Sequence, residues 1–263
     1  LPGRLPALRP GHPGRQARFP PGLMRRIRIT LAYDGGHFHG WQVQPGLPTV
    51  QGILEEIVSG IEGRAVHVAG SGRTDAGVHA LGQVAAFSIE NPIPLPNLCR
   101  AVNRLLPSSI RVLAAGEVPS EFHPRFDARA KTYEYRIVRQ EVCSPFEWPY
   151  VHHYPYPLDE DRVSRLAAAF EGTHDFTAFA ASDDRDAEGR SKVRTIFNSS
   201  LERQPGRLVY RVRGSGFLKH MVRNLVGTLL EAGKDNIADL SRLPDRSGPT
   251  APAKGLFLVG VEY

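Results

Sequence analysis

The chain has 263 residues, 41% of them hydrophobic and 23% charged, which is enough for one large globular domain or two of about 100 to 150 residues. The net charge of +6 invites a nucleic-acid reading, yet residues 1–23 hold four arginines and no acid, so the rest of the chain sets 29 basic against 27 acidic side chains. No apolar run approaches the roughly 20 residues of a membrane helix, and Cys99 and Cys143 stand in no metal-like or redox-like spacing, which excludes a disulfide-stapled scaffold and fits a reducing, cytoplasmic setting.

Residues 1–23 contain six prolines and four glycines and are expected to be a disordered tail, since such a composition buries too little to order itself. They lack the apolar centre of a secretory signal, and their prolines argue against an amphipathic transit peptide. Met24, directly before the first strand-like run, is expected to be the biological start, with the tail an upstream artefact.

From there "RIRITLAY" (26–33) alternates like a half-buried strand. "PTVQGILEEIVSGI" then sets Val50, Ile53, Leu54, Ile57, Val58 and Ile61 on one helical face, with Thr49 as N-cap. Strand-like runs at 65–69 and 84–89, a helix from about Pro96 to Leu106 and a strand at 110–118 complete a βαββαβ order. The pattern begins again with a strand in "KTYEYRIV", a helix at about 159–171, strands at about 193–202 and 207–213, a long helix at about 215–233 and the strand "GLFLVGVEY". The expected fold is α+β: two ferredoxin-like halves with antiparallel sheets, the topology also used by RNA-recognition modules. The halves are expected at 24–127 and 128–263.

The stretch "GSGRTDAGVHA" (70–80) puts one carboxylate, Asp75, on a glycine-rich loop with no second acid nearby. Two readings stand at this point: a turn residue, or a lone nucleophile within reach of a substrate. Dinucleotide and phosphate-loop fingerprints are missing, because "GSGRTD" and "GSGFLK" carry Asp75 and Lys219 where a third glycine belongs. Neither a cofactor nor a metal is expected, since the histidines at 37, 39, 152, 153 and 174 keep no zinc spacing. The segment "RLVYRVRGSGFLKHMVR" (207–223) holds Arg207, Arg211, Arg213, Lys219 and Arg223 without an acid, interleaved with Tyr210 and Phe217. Along a strand Arg211 and Arg213 share a side, and Arg223 is expected about one helical turn beyond Lys219. Such a strip suits phosphates, and it equally suits a solvated basic face.

"YDGGHFHGWQ", "GRTDAGVHA", "GQVAAF", "NRLLP", "FDARAKTYEYRI", "SKVRTI", "GFLKHMVRNLVGTLLEAG" and "AKGLFLVGVEY" follow one another in this order. Together they closely resemble the tRNA pseudouridine synthase A family, from about Arg26 to Tyr263. The resemblance implies a pseudouridine synthase fold with a central basic cleft, no cofactor, and a tRNA substrate modified at uridines 38, 39 and 40 of the anticodon stem-loop. It also implies a homodimer. Carried over position by position, the catalytic aspartate falls on Asp75 and its arginine partner on Arg223. The tyrosine that packs against the target uracil falls on Tyr133, whose phenol is also a possible base. The arginine tied to RNA engagement and base flipping falls on Arg73, while Arg211, Arg213 and Lys219 remain candidates for RNA contact from the basic strip. A non-catalytic RNA-binding protein with tandem RNA-recognition modules explains the topology but expects aromatic strand motifs of the "GFGFVxF" type. A hydrolase using Asp75 as phosphoryl acceptor expects magnesium-binding acids beside it. Neither feature is in the sequence.

Overall fold

The computed structural model describes residues 23–182, 189, 191–234 and 246–263; all of the expected tail except Leu23 lies outside the described residues. Its strands and helices in chain order are β1 (Arg25–Tyr33), α1 (Val50–Glu62), β2 (Ala69–Gly70), β3 (His79–Ile89), α2 (Leu95–Leu105), β4 (Ile110–Val118), β5 (Ala130–Val138), β6 (His152–His153), α3 (Glu160–Ala169), β7 (Gly172–Asp175), β8 (Val193–Gln204), β9 (Arg207–Gly214), α4 (Met221–Lys234) and β10 (Leu256–Glu262).

Alternation makes β1: Ile27, Ile29, Leu31 and Tyr33 are buried while Arg26, Arg28 and Thr30 on the other face are only partly covered. The Thr49 hydroxyl accepts the Gly52 N–H to start α1, and Gly63, in the left-handed region at φ +79°, ends it. Asp159 caps α3 in the same way through the Arg162 N–H. Unlike these one-sided helices, α4 is buried nearly all round, as suits a helix at the centre of a core.

The strands form one sheet in the order β4-β1-β3-β10-β5-β9-β8-β7, with β2 beside β3 and β6 beside β5. Two copies of the ferredoxin-like order are embedded in it, β4-β1-β3-β2 and β10-β5-β9-β8, each with antiparallel neighbours. The expected fold class is the observed one. The halves meet through a parallel pairing of β10 with β3, at Phe257 with His79 and Leu258 with Ala80.

That junction corrects one expectation. The strand expected at 65–69 is reduced to Ala69–Gly70, which pair with Ala86 and Ala85, because the other end of the same β3 edge is taken by β10. The connection from Ser71 to Val78 therefore leaves the sheet where the edge passes from one half to the other. A second correction concerns α4, which begins at Met221 rather than near 215. His220 has φ +61° and cannot be a helical residue, so Lys219 lies in the turn ahead of the helix and not one turn along it.

Candidate active site

The Ser71–Val78 connection forms the wall of a cavity of about 830 Å³ between the two halves. Its shape is fixed from several sides. The Ser71 N–H donates to the Val84 carbonyl (2.8 Å), the Ser71 hydroxyl to Gln83 Oε1 (2.6 Å), and Gln83 Nε2 to the Gly72 carbonyl (3.1 Å). The buried hydroxyls of Tyr33 and Thr74 share a 2.8 Å hydrogen bond, and burial raises the Tyr33 pKa to about 12. From the second half, Lys131 Nζ donates to the Ser71 carbonyl at 2.6 Å. Burial lowers the Lys131 pKa to about 8.

The glycines and tryptophan of "YDGGHFHGWQ" do their work here. Trp41 N–H donates to the Thr74 carbonyl at 3.1 Å, and its ring lies where a β-carbon on Gly70 would stand, 2.5 Å away. Gly40, at φ +89°, presses its backbone against the same carbonyl, so that a β-carbon there would lie 2.6 Å from Thr74 O. These residues brace the acid loop, a role that their sequence spacing does not announce.

Asp75 is about a quarter exposed, and its Oδ2 receives Arg223 Nη1 at 3.1 Å. The Arg223 guanidinium is itself aimed by the Ala251 carbonyl, to which Nε donates at 2.7 Å. Residues 248–251 run along the first turns of α4, where the Gly248 N–H donates to Thr228 Oγ1, the Thr250 hydroxyl to Asn224 Oδ1 and the Ala251 N–H to the Arg223 carbonyl. The C-terminal segment thus sets the rotamer of the arginine that faces Asp75 across the junction of the halves.

Among the described residues Asp75 is the one acid on the cavity wall, against five side chains of the Arg and Lys type: Arg73, Arg125, Lys131, Lys219 and Arg223. Arg73 and Lys219 are exposed at the cavity, and Lys219 Nζ also donates to the Ser182 carbonyl at 2.9 Å. Tyr133, buried on β5, closes another side with its ring packed edge-on against Phe217, centroids 5.1 Å apart. Burial is the main force that raises the Tyr133 pKa, and the Asp75 charge adds to it. The cavity therefore joins one carboxylate, a cationic surround and an aromatic wall, which suits a polyanion carrying a flat ring.

The structure brings Asp75, Arg73, Tyr133, Lys219 and Arg223 together at this cavity; it does not bring Arg211 and Arg213. In the β5–β9 register Tyr133 stands opposite Val212, whereas Arg211 stands opposite Glu134 and Arg213 opposite Thr132. Period-two alternation puts both arginines on the other face of the sheet. There Arg211 pairs with Glu134 at 2.8 Å and Arg213 with Glu262 at 2.6 Å. These two cations of the expected acid-free strip are thus paired by acids from β5 and β10. His220, which sequence reasoning passed over, sits on the cavity wall with Nε2 3.5 Å from Asp75 Oδ2; its φ is a tertiary property with no sequence signal.

Comparison with known proteins gives one consistent result. The profile of the family described as tRNA pseudouridine synthase matches residues 29–127 and 166–263. The protein named tRNA pseudouridine synthase A of Solibacter usitatus is 79% identical over 240 residues, covering 91% of this chain and 100% of the relative. Proteins of the same name from Lacticaseibacillus casei, 44% identical over 250 residues, and from Halalkalibacterium halodurans, 42% over 242, are covered to 100% and 91% of their lengths; they span 91% and 89% of this chain.

Proposed function

Because the chain belongs to the tRNA pseudouridine synthase family, we propose that it isomerises uridine to pseudouridine in tRNA, with Asp75 as the nucleophile. The observation that carries this reading is the Asp75 carboxylate braced by Arg223 on a cavity wall whose other charged side chains, among the described residues, are cations. The reaction breaks the N1–C1′ glycosidic bond, turns the uracil and joins C5 to C1′, so no atom is gained and no general acid and base pair is needed to deliver water. One ionised carboxylate can attack C1′ and hold the sugar while the base rotates. Arg223, oriented by the Ala251 carbonyl, balances through Asp75 Oδ2 the charge that Asp75 brings into the cavity.

The target nucleotide must leave its stack, at a cost of a few kcal/mol. Arg73, exposed beside Asp75, supplies a planar cation able to fill the vacated space, and Tyr133 supplies a face for the extruded uracil. Arg73, Lys219 and Arg125 meet phosphates at the cavity. Arg73→Gln is accordingly expected to lower the salt slope of tRNA binding by about one, whereas Arg211→Gln and Arg213→Gln leave both slope and turnover unchanged; filter binding at several salt concentrations separates the two groups.

A non-catalytic RNA-binding protein accounts for the cations but not for the acid loop and its bracing. Incubating the protein with bulk tRNA and analysing the nucleosides decides between them: pseudouridine appears if the proposal is right, and tRNA bound without conversion refutes it. By the family resemblance the target is uridine at positions 38, 39 and 40 of the anticodon stem-loop. The same resemblance supports a homodimer, in keeping with the exposed apolar side chains Val142, Phe146 and Trp148, and sedimentation at a single-chain mass would contradict it. A cytoplasmic setting fits both the substrate and the described helices, none of which is long and apolar enough to cross a membrane.

A further inference from the structure

Isomerisation requires a second operation besides the attack on C1′. Once C5 is joined to C1′, C5 still carries its hydrogen, and the uracil regains its conjugation only when that proton leaves. Tyr133 is poorly suited to take it, since burial holds its phenol in the neutral form, and a neutral phenol is a feeble proton acceptor. The arginines stay charged and accept nothing. Lys131 Nζ is engaged with the Ser71 carbonyl at 2.6 Å.

His220 is different. Among the described residues it alone combines a side chain larger than hydrogen with positive φ, +61°, a conformation that costs energy and persists where surrounding structure enforces it. The result is an imidazole on the cavity wall, about a third exposed, with Nε2 3.5 Å from Asp75 Oδ2. Of the three other histidines of the wall, His67 Nδ1 lies 2.7 Å from Glu55 and His123 Nδ1 accepts the Arg125 and Phe126 N–H groups, while the described hydrogen bonds of His39 are made by its backbone.

We infer that His220 is the base that removes the C5 proton, an inference that rests on the isomerase reading above. When C5 bonds to C1′, the Asp75–C1′ bond breaks and returns the Asp75 carboxylate. Nε2 of His220 then takes the proton from C5. The C–H electron pair forms C5=C6, and the C6=N1 pair moves onto N1, which takes a proton from water. The imidazolium so formed stands beside the carboxylate freed one step earlier, which favours the transfer at the moment it is needed.

The test uses the full chain and tRNA carrying deuterium or protium at uracil C5. Asn and Gly both tolerate the backbone at position 220, so His220→Asn and His220→Gly remove the base without refolding the turn. Both are expected to lower turnover by roughly 10²- to 10⁴-fold and to show a primary C5 isotope effect larger than that of the unaltered protein, with added imidazole restoring part of the His220→Gly turnover. Turnover within about threefold of the unaltered protein, or lost turnover with neither an enlarged isotope effect nor imidazole rescue, overturns the role of His220. An enlarged isotope effect in Tyr133→Phe but not in the His220 variants moves the base to Tyr133 and overturns it as well. If the unaltered protein releases no C5 label at all, the isomerase reading fails, which is a distinct result.

Discussion

Asp75→Asn abolishes measurable turnover while tRNA still binds. The substitution keeps the size and planarity of the side chain, and the loop around it is held by groups that do not involve the carboxylate: the Ser71, Gln83, Tyr33, Thr74, Trp41 and Lys131 contacts remain. What disappears is the ionised oxygen and the 3.1 Å pairing with Arg223. An amide is no nucleophile toward a sugar carbon, and loss of a nucleophile from a covalent mechanism costs about 10⁶-fold. Binding survives because the cations that meet phosphate are untouched. Release of tritium from uracil C5, run beside a filter-binding titration, reads both quantities. Loss of both with the fold intact by circular dichroism would reduce Asp75 to an organiser of the loop, and turnover within about tenfold of the unaltered protein would return it to a turn residue.

Gly35→Ala damages both the acid loop and stability from a position that never touches substrate. A β-carbon on Gly35 would lie 2.0 Å from the Val78 carbonyl oxygen and 2.4 Å from its carbon, and both belong to the backbone three residues after Asp75. Neither can rotate away, so the Asp75 loop or the turn at Asp34–Gly35 must shift. Overpacking of this kind costs about 1 to 3 kcal/mol. A displacement of the order of 1 Å at the nucleophile costs about 10²-fold in rate. Thermal melting and the tritium assay measure the two effects. Gly60→Ala is the control: it lies within α1 with open space around it, and is expected to leave turnover unchanged and stability equal or higher. Equal behaviour of the two variants would remove the packing of Gly35 on Val78 from the account.

How much of this was written in the sequence depends on range. The period of β1, the Thr49 cap and the faces of α1 and α3 are local, and they were legible. The fold class followed because the βαββαβ order is itself a sum of local signals. Asp75, Arg73, Tyr133 and Arg223 were singled out through the family resemblance that their motifs carry, and the structure gathers all four at one cavity. What was not legible is set by partners distant in the chain. The length of β2 depends on β10 taking the other end of the β3 edge, about 190 residues away in sequence. The pairing of Arg211 and Arg213 was not legible, because their acids, Glu134 on β5 and Glu262 on β10, come from strands distant in the chain. Alternation put Arg211 and Arg213 on one face correctly, but only the β5–β9 register tells that this face lies away from Tyr133. His220 was hidden because its reach to Asp75 depends on the turn between β9 and α4, where helix was expected.

The central claim is that the cavity around Asp75 converts uridine to pseudouridine. Its most direct test mixes the protein, in excess, with tRNA tritiated at uracil C5 and follows a single turnover, counting tritium released to water and pseudouridine formed in the same samples. The account predicts that the two rise together, one tritium for each pseudouridine, with no nucleotide or redox cofactor added. Transfer RNA held by the protein with its tritium retained and no pseudouridine formed would contradict it.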